Sequence, residues 1–343
     1  MFIYWAVFVC AGVVAVARLR VSVFGWVFLG VALTVFVGLR YEVGGDWDTY
    51  LGYLVRVTGK PLPEVLAYKD PGYQIVNWFA ARVGFDIWFV NLVAAGVFVF
   101  GLIRFIVFLP DPRIALAISI PYMVIVMAMG YTRQAMAFGL VLWGLTFLIR
   151  RQLLSFVVVL ALAATFHKSA VILVPLAILA NTKNRVWSAI WIGATGIILF
   201  MLLLQEHVDA LYRQYVLSDY SEASDGGPVR ALMNALPAIV FVAYRNRFKM
   251  QAEERSLWLA VSMLCLACLP LLLFSVTAVD RVALYLMPIQ LVVASHLTGF
   301  VSARTRVISR VAILGVYALV MFVWLNYAGH REAWLPYRFW PFA

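Results

Sequence analysis

Five short polar clusters interrupt an otherwise apolar chain: Gly44-Gly45-Asp46-Trp47-Asp48-Thr49-Tyr50, Asp70-Pro71-Gly72-Tyr73, Thr132-Arg133-Gln134, Phe166-His167-Lys168-Ser169 and Asp280-Arg281. Arg133, Arg281 and Lys168 suit the binding of a diphosphate, because an arginine fork matches phosphate oxygens two at a time and keeps its charge at any working pH. The alternative is that each arginine ends a membrane span and reaches for lipid headgroups. His167, beside Lys168, is a candidate general base: a histidine has an unperturbed pKa of about 6.5, and a neighbouring cation favours its neutral form. A structural histidine is the competing reading. Asp46 and Asp48 stand two residues apart, a spacing that suits a divalent metal or the hydroxyls of a sugar, with Trp47, Tyr50 and Tyr73 offering apolar faces beside them. On a strand the two carboxylates would point the same way and on a helix they would diverge; the flanking glycines favour an irregular turn. We assign no metal and no cofactor. Asp280 either orients Arg281, forms a plain salt bridge or caps a helix.

The elements that carry these residues follow from composition. The 343 residues are 65% hydrophobic and 13% charged, roughly half the charged share of an ordinary soluble domain, and the mean hydropathy is +0.94. A water-soluble fold is excluded. With about 20 residues per spanning helix, the chain has room for about twelve spans and no separate soluble domain. They are expected near 2–17, 21–39, 86–103, 114–130, 134–149, 153–166, 169–180, 186–205, 229–244, 256–275, 281–299 and 307–325. The fold class is therefore all-α, one polytopic helical membrane domain over 1–343.

The net charge of +11 gives orientation rather than nucleic-acid binding, because lysine and arginine gather in cytoplasmic loops. With the N-terminus outside, Arg18, Arg20, Arg104, Arg113, Arg150, Arg151, Lys183, Arg185, Arg245, Arg247, Lys249, Arg255, Arg304, Arg306 and Arg310 fall inside, against only Asp111, Glu253 and Glu254. All five polar clusters then face the extracytoplasmic side. Ionisable residues at membrane depth are costly and mark sites or pathways by default.

Residues 40–85 form an external loop with aromatic stretches that suit short interfacial helices. An acidic external segment, 206–228, ends in Asp225-Gly226-Gly227-Pro228 and is a candidate lid. Cys10, Cys265 and Cys268 lie in apolar stretches, which suggests neither a disulfide framework nor a zinc site. The first seventeen residues lack a basic n-region and a small-residue cleavage site, so they read as an uncleaved anchor. No internal repeat or glycine-rich phosphate loop is present.

From about Arg40 to Gln290 the chain resembles the EpsG-type and Wzy-type bacterial polysaccharide polymerases. The resemblance rests on the order of Gly-Gly-Asp-Trp-Asp-Thr-Tyr at 44–50, Asp70-Pro71-Gly72-Tyr73 leading to Asn77, Arg133-Gln134-Ala135, Phe166-His167-Lys168-Ser169, and Asp280-Arg281-Val282-Ala283-Leu284-Tyr285. The chain departs from the family pattern in carrying Asp70 where glutamate is common and Asp280 where serine is common. The resemblance implies a fold like the C class of glycosyltransferases in the bacterial inner membrane. It implies transfer of a growing glycan from undecaprenyl diphosphate to the terminal sugar of another lipid-linked repeat unit on the outer face. Donor and acceptor oligosaccharides, the bilayer and a chain-length regulator are the implied partners, with no nucleic acid. In that reading His167 or Asp46 is the base, and Arg133, Arg281 and Lys168 hold the diphosphate. Asp48, Trp47, Tyr50, Asp70, Tyr73, Gln134, Asp280 and Tyr285 contact substrate. The rival classes are a flippase or exporter of lipid-linked sugars, and a ligase, single-sugar transferase or acyltransferase built on the same residues. Transporters usually carry internal repeats and ionisable residues near the midplane, and this sequence shows neither.

Overall fold

The computed structural model describes residues 1–17, 20–174, 176, 226–302 and 304–343. Among them the regular elements are helical, and the only β contact is an isolated bridge between Arg40 and Phe339. Two apolar helices, α1 (Phe2–Val16) and α2 (Val23–Gly38), precede three short ones, α3 (Trp47–Val57), α4 (Leu62–Leu66) and α5 (Pro71–Val83). Then come α6 (Ile87–Ile106), α7 (Pro112–Ser119), which continues as a π-helix over Ile120–Ala128, α8 (Thr132–Ile149) and α9 (Leu153–Phe166), followed by a 3-10 turn at Lys168–Leu173. The C-terminal part holds α10 (Gly226–Tyr244), α11 (Ala252–Leu271), α12 (Val276–Leu286), α13 (Pro288–Leu297) and α14 (Arg306–Tyr327), with 3-10 turns at Arg331–Trp334 and Trp340–Phe342.

Helices α6, α8, α10, α11 and α14 are long and apolar enough to cross a bilayer, while α1, α2, Pro112–Ala128 and α9 are apolar but shorter. With the composition, this makes the chain an all-α multi-pass membrane protein, since helices satisfy their own backbone groups in lipid. The span expected at 186–205, residues 175 and 177–180 of that at 169–180, and the candidate lid at 206–228 apart from its last residues lie outside the described residues, and the described start of 169–180 is the 3-10 turn. One expected span differs. In place of a single helix over 281–299, α12 begins at Val276 and the chain breaks before Pro288, whose ring lacks the N–H needed to continue the ladder. Asp280 and Arg281 therefore lie within a helix, not at its first turn, and Asp280 is not a helix cap.

The chain forms two compact units. The first comprises Met1–Thr146, Leu162–Lys168 and Ala294–Ala343. Its spanning helices meet through glycines. A Cβ on Gly101 of α6 would lie 1.7 Å from the carbonyl oxygen of Gly139 on α8, and one on Gly139 would lie 2.5 Å from the Cα of Phe98. Backbones this close pack by dispersion where the hydrophobic effect gives no help inside lipid. Capping fixes the neighbouring starts: Ser22 Oγ accepts from the Gly25 amide ahead of α2, and Asp86 Oδ1 from the Ile87 amide ahead of α6.

At the α6–α7 turn, Asp111 is buried and accepts from Arg310 Nη2 at 2.6 Å, Arg310 Nε at 3.0 Å and Thr298 Oγ1 at 3.2 Å. Elsewhere in this unit the tail acts as a strap. Tyr4 Oη donates to the Trp334 carbonyl, the Trp334 indole donates to the Ile125 carbonyl at 2.9 Å, and the Gly44 amide donates to Ala333. Gly44 has φ +115°, and a Cβ there would sit 2.3 Å from the Met129 carbonyl oxygen, so the loop that leads to Asp46 lies directly on the end of the π-helix.

The second unit, Phe147–Ala161 with Ser169–Val293, is built in its described part on α10, α11 and α12. Here Gly227 admits α12 close to the start of α10, since a Cβ would meet Val276 Cγ1 at 2.9 Å.

Candidate functional site

Residues 40–85 build one wall of the first unit because their helices are two-faced. Helix α3 buries Trp47, Tyr50, Leu54 and Val57, and α5 buries Tyr73, Gln74, Asn77 and Ala80, each set at helical spacing. Trp47, Tyr50, Leu54, Tyr73 and Ala80 form one cluster with Ile87, Val90, Ala94 and Met136 of α6 and α8. The aromatic faces are used largely on one another: Tyr50–Tyr73 centroids lie 5.8 Å apart, Tyr53–Tyr73 5.9 Å and Tyr41–Trp47 6.0 Å. Trp47, Tyr50 and Tyr73 are thus packed into the core, and the ring that meets a charge is that of Tyr53.

Asp70 stands at the start of α5 in the left-handed region, φ 56° and ψ 60°. The following Pro71 disfavours the right-handed helical conformation there, and aspartate tolerates the left-handed one better than most side chains do. Its backbone carbonyl accepts from the Tyr73 and Gln74 amides. The carboxylate is consequently not needed as a cap and reaches Arg133 instead, with Oδ2 2.6 Å from Nη1. The Lys168 amide also donates to it. One carboxylate therefore ties together the start of α5, the first turn of α8 and the turn after α9. Gly72 permits this approach, since a Cβ there would lie 2.4 Å from Thr165 Oγ1.

Arg133 lies under several influences at once. Its guanidinium carbon is 4.7 Å from the Tyr53 ring centroid, a cation–π distance, and its Nε is buried with no hydrogen-bond partner among the described residues. Gln134 Nε2 lies 3.3 Å from His167 Nε2, so the next side chain on the same turn holds the imidazole. Asp46, half-buried at the start of α3, has its carboxyl pushed up by burial and drawn back down by the Arg133 charge. Burial likewise raises Asp70, with Arg133 the main opposing influence. The Tyr50 and Tyr73 hydroxyls are pushed up by burial and remain neutral. Asp48, in the first turn of α3, is exposed. Asp46 lies in the turn at the flanking glycines, just before α3, while Asp48 lies in the helix's first turn, so the two carboxylates do not share one strand-like face. Among the described residues no group of three or more His, Cys, Asp or Glu is placed to hold a metal ion.

The first unit thus gathers Asp46, Trp47, Tyr50, Asp70, Tyr73, Arg133, Gln134, His167 and Lys168. In the second unit Asp280 pairs with the fully buried Arg230 at 2.5 Å. Asn234 donates to the Ala283 carbonyl and accepts from Gln290, both at 2.7 Å, and Ser169 Oγ lies 3.5 Å from the Tyr285 hydroxyl. Arg281 is half-buried on the same helix as Asp280 and Tyr285.

Three participants were not picked out by the motifs: Arg40, Tyr53 and Arg230. Arg40 is 1% exposed and donates to Val37 and Val43 carbonyls, Asn91 Oδ1 and Thr132 Oγ1. Burial draws its guanidinium down to about 10, which leaves it charged near neutrality. A signal existed for two of them, since Arg40 and Arg230 are cations on the side that the loop charges mark as external. Nothing in the sequence distinguished Tyr53 from its aromatic neighbours.

Residues 23–339 match the model of the EpsG family. The chain belongs to the EpsG family. The match embraces every polar cluster of this EpsG protein described above, from Arg40 through Asp280 and Arg281. No curated protein and no solved structure matches the chain.

Proposed function

We propose that this EpsG-family protein is a polysaccharide polymerase acting on lipid-linked oligosaccharides at the extracytoplasmic face of the bacterial inner membrane. Family membership supports the polymerase class. The observation that supports the chemistry is Arg133, whose guanidinium is held at Nη1 by Asp70 and against the Tyr53 ring while its side chain stays 23% exposed. An arginine fixed on one edge with donor capacity left on another is prepared for an anion such as a diphosphate.

In the proposed reaction the bond between the donor's anomeric carbon and the diphosphate oxygen breaks, and a bond forms from that carbon to a hydroxyl oxygen of the acceptor sugar. The hydroxyl proton passes to Asp46 or His167, and undecaprenyl diphosphate leaves carrying the negative charge. Arg133 and Lys168 stabilise that charge as it develops; Arg281 is given the same role by its sequence motif alone. Asp70 orients Arg133, and Gln134 orients His167. Because diphosphate is a good leaving group, positioning and the cations contribute more than proton transfer.

The test is a deletion strain complemented with wild type, Arg133→Ala or His167→Ala. Surface-polysaccharide length is read on a gel, together with the sidedness of accumulated lipid-linked units. Loss of polymer with single units collecting on the outer leaflet is expected, at least as severe for Arg133→Ala as for His167→Ala. Units collecting on the inner leaflet would instead make the protein a carrier of lipid-linked sugars and overturn the proposal.

A further inference from the structure

Arg40 is buried without a carboxylate. Its four hydrogen bonds go to neutral acceptors: the Val37 carbonyl at 2.8 Å, the Val43 carbonyl at 3.0 Å, Asn91 Oδ1 at 3.1 Å and Thr132 Oγ1 at 2.9 Å. Asn91 and Thr132 are as deeply buried as Arg40 itself. Taking a lone cation out of water is expensive, and a neutral side chain of similar size would bridge the end of α2 to α6 and α8 at lower cost. The location of the charge offers a reason for keeping it. Thr132 opens α8 and is followed at once by Arg133 and Gln134, so the Arg40 fork holds, through the Thr132 hydroxyl, the turn from which both side chains depart. The Arg40 and Arg133 charges also act on the same two tyrosines, Tyr50 and Tyr73, which places both cations along one wall.

We propose that Arg40 is a positioning residue for the anion site: it fixes the first turn of α8, and with it the aim of Arg133, and supplies a permanent positive charge behind the bound diphosphate. The inference rests on the diphosphate reading given above and deepens it. Arg133 touches the anion, while Arg40, sealed from solvent, acts through Thr132 and through its field. A guanidinium suits this task better than an ammonium, because its planar fork reaches acceptors from α2, α6 and α8 at once.

The test uses the full chain in nanodiscs of uncharged lipid, with inorganic diphosphate as the probe in a calorimetric titration. Thr132→Val removes the acceptor on α8 and leaves both cations in place; it is expected to weaken diphosphate binding about tenfold, the scale of one hydrogen bond from a charged donor, in a protein that still folds. Thr132→Ser, which restores the hydroxyl, is expected to recover wild-type affinity. If Thr132→Val binds as tightly as wild type, or Thr132→Ser is weakened as much as Thr132→Val, while Arg133→Ala abolishes binding, the role of Arg40 is refuted and the diphosphate site stands. If wild type does not bind diphosphate, or Arg133→Ala binds it unchanged, the diphosphate reading fails and the inference with it. Should Thr132→Val not fold, Arg40→Lys decides in the same titration: a loss of about tenfold or more supports the fork, and wild-type affinity overturns it.

Discussion

Replacing Gly72 by alanine sets two well-characterised effects against each other. Gly72 lies in the first turn of α5, where helix propensity alone favours alanine by up to about 1 kcal/mol. The surroundings oppose this. The new methyl would lie 2.4 Å from Thr165 Oγ1 and 3.1 Å from both the Thr165 Cβ and its carbonyl oxygen. Thr165 cannot simply rotate away, because its hydroxyl donates to the Leu162 carbonyl at 2.7 Å, and rotation would leave the other two contacts in place. Overpacking of this kind costs about 1–3 kcal/mol, so we expect Gly72→Ala to destabilise the protein by about 1 kcal/mol net. Activity should suffer more than stability, because the strain is relieved by parting Asp70 from the turn at His167 and Lys168 and loosening the 2.6 Å contact with Arg133. The assay is a double-mutant cycle with Thr165→Ala, read as tryptophan-detected thermal unfolding in detergent and as polymer length in cells. Thr165→Ala removes the closest contact only, so the double mutant should recover part of both losses. A Gly72→Ala protein that melts higher than wild type and makes full-length polymer would refute the reasoning, since it would show that the two segments are free to separate.

Further outcomes follow from the charges of Asp46 and Asp111. Burial raises the Asp46 carboxyl in the folded protein, so the fold favours its protonated form: the carboxylate costs stability above its folded pKa, and the cost fades as pH falls through that value toward the unfolded one. Asp46→Asn should therefore raise the melting temperature at neutral pH and change it little in acid. If Asp46 is the base, wild-type activity will fall with acid at a pH above the usual carboxylate range. Asp111→Ala leaves Arg310 buried beside no carboxylate, and a broken buried pair costs about 3–5 kcal/mol. We expect a large fall in melting temperature there, measured by fluorescence-detected size exclusion, and a fall no greater than that of a surface alanine substitution would refute the buried-pair account.

Much of this architecture was legible in the chain. Apolar runs marked α1, α2, α6, α8, α10, α11 and α14 to within a few residues because a bilayer demands length and composition together. The break at His167 and Lys168 falls between the spans expected at 153–166 and 169–180, which were separated by loop charge rather than by length. What escaped was decided by neighbours in space. Asp280 adjoins Arg281 in sequence yet pairs with Arg230, one helix away in the same unit. Asp46 and Asp48 look like a chelating pair, but helix α3 starts between them and leaves one half-buried and the other exposed. Trp47, Tyr50 and Tyr73 have the composition of a sugar platform, yet period-3.6 spacing turns them inward. Arg40 reads as a loop cation until Asn91 and Thr132 are brought to it by α6 and α8.

The strap formed by residues 331–342 bears on how the protein is made. Trp334 reaches back to Tyr4 and Ile125, Ala333 holds Gly44, and Phe339 bridges to Arg40. A ribosome inserting this chain delivers Tyr4, Arg40, Gly44 and Ile125 long before the residues that clasp them. The loop that leads to Asp46 must therefore wait, threaded but unfastened, until the strap residues have been made. Ribosome-bound chains arrested before the strap emerges would be inserted in the membrane but open to protease around Gly44.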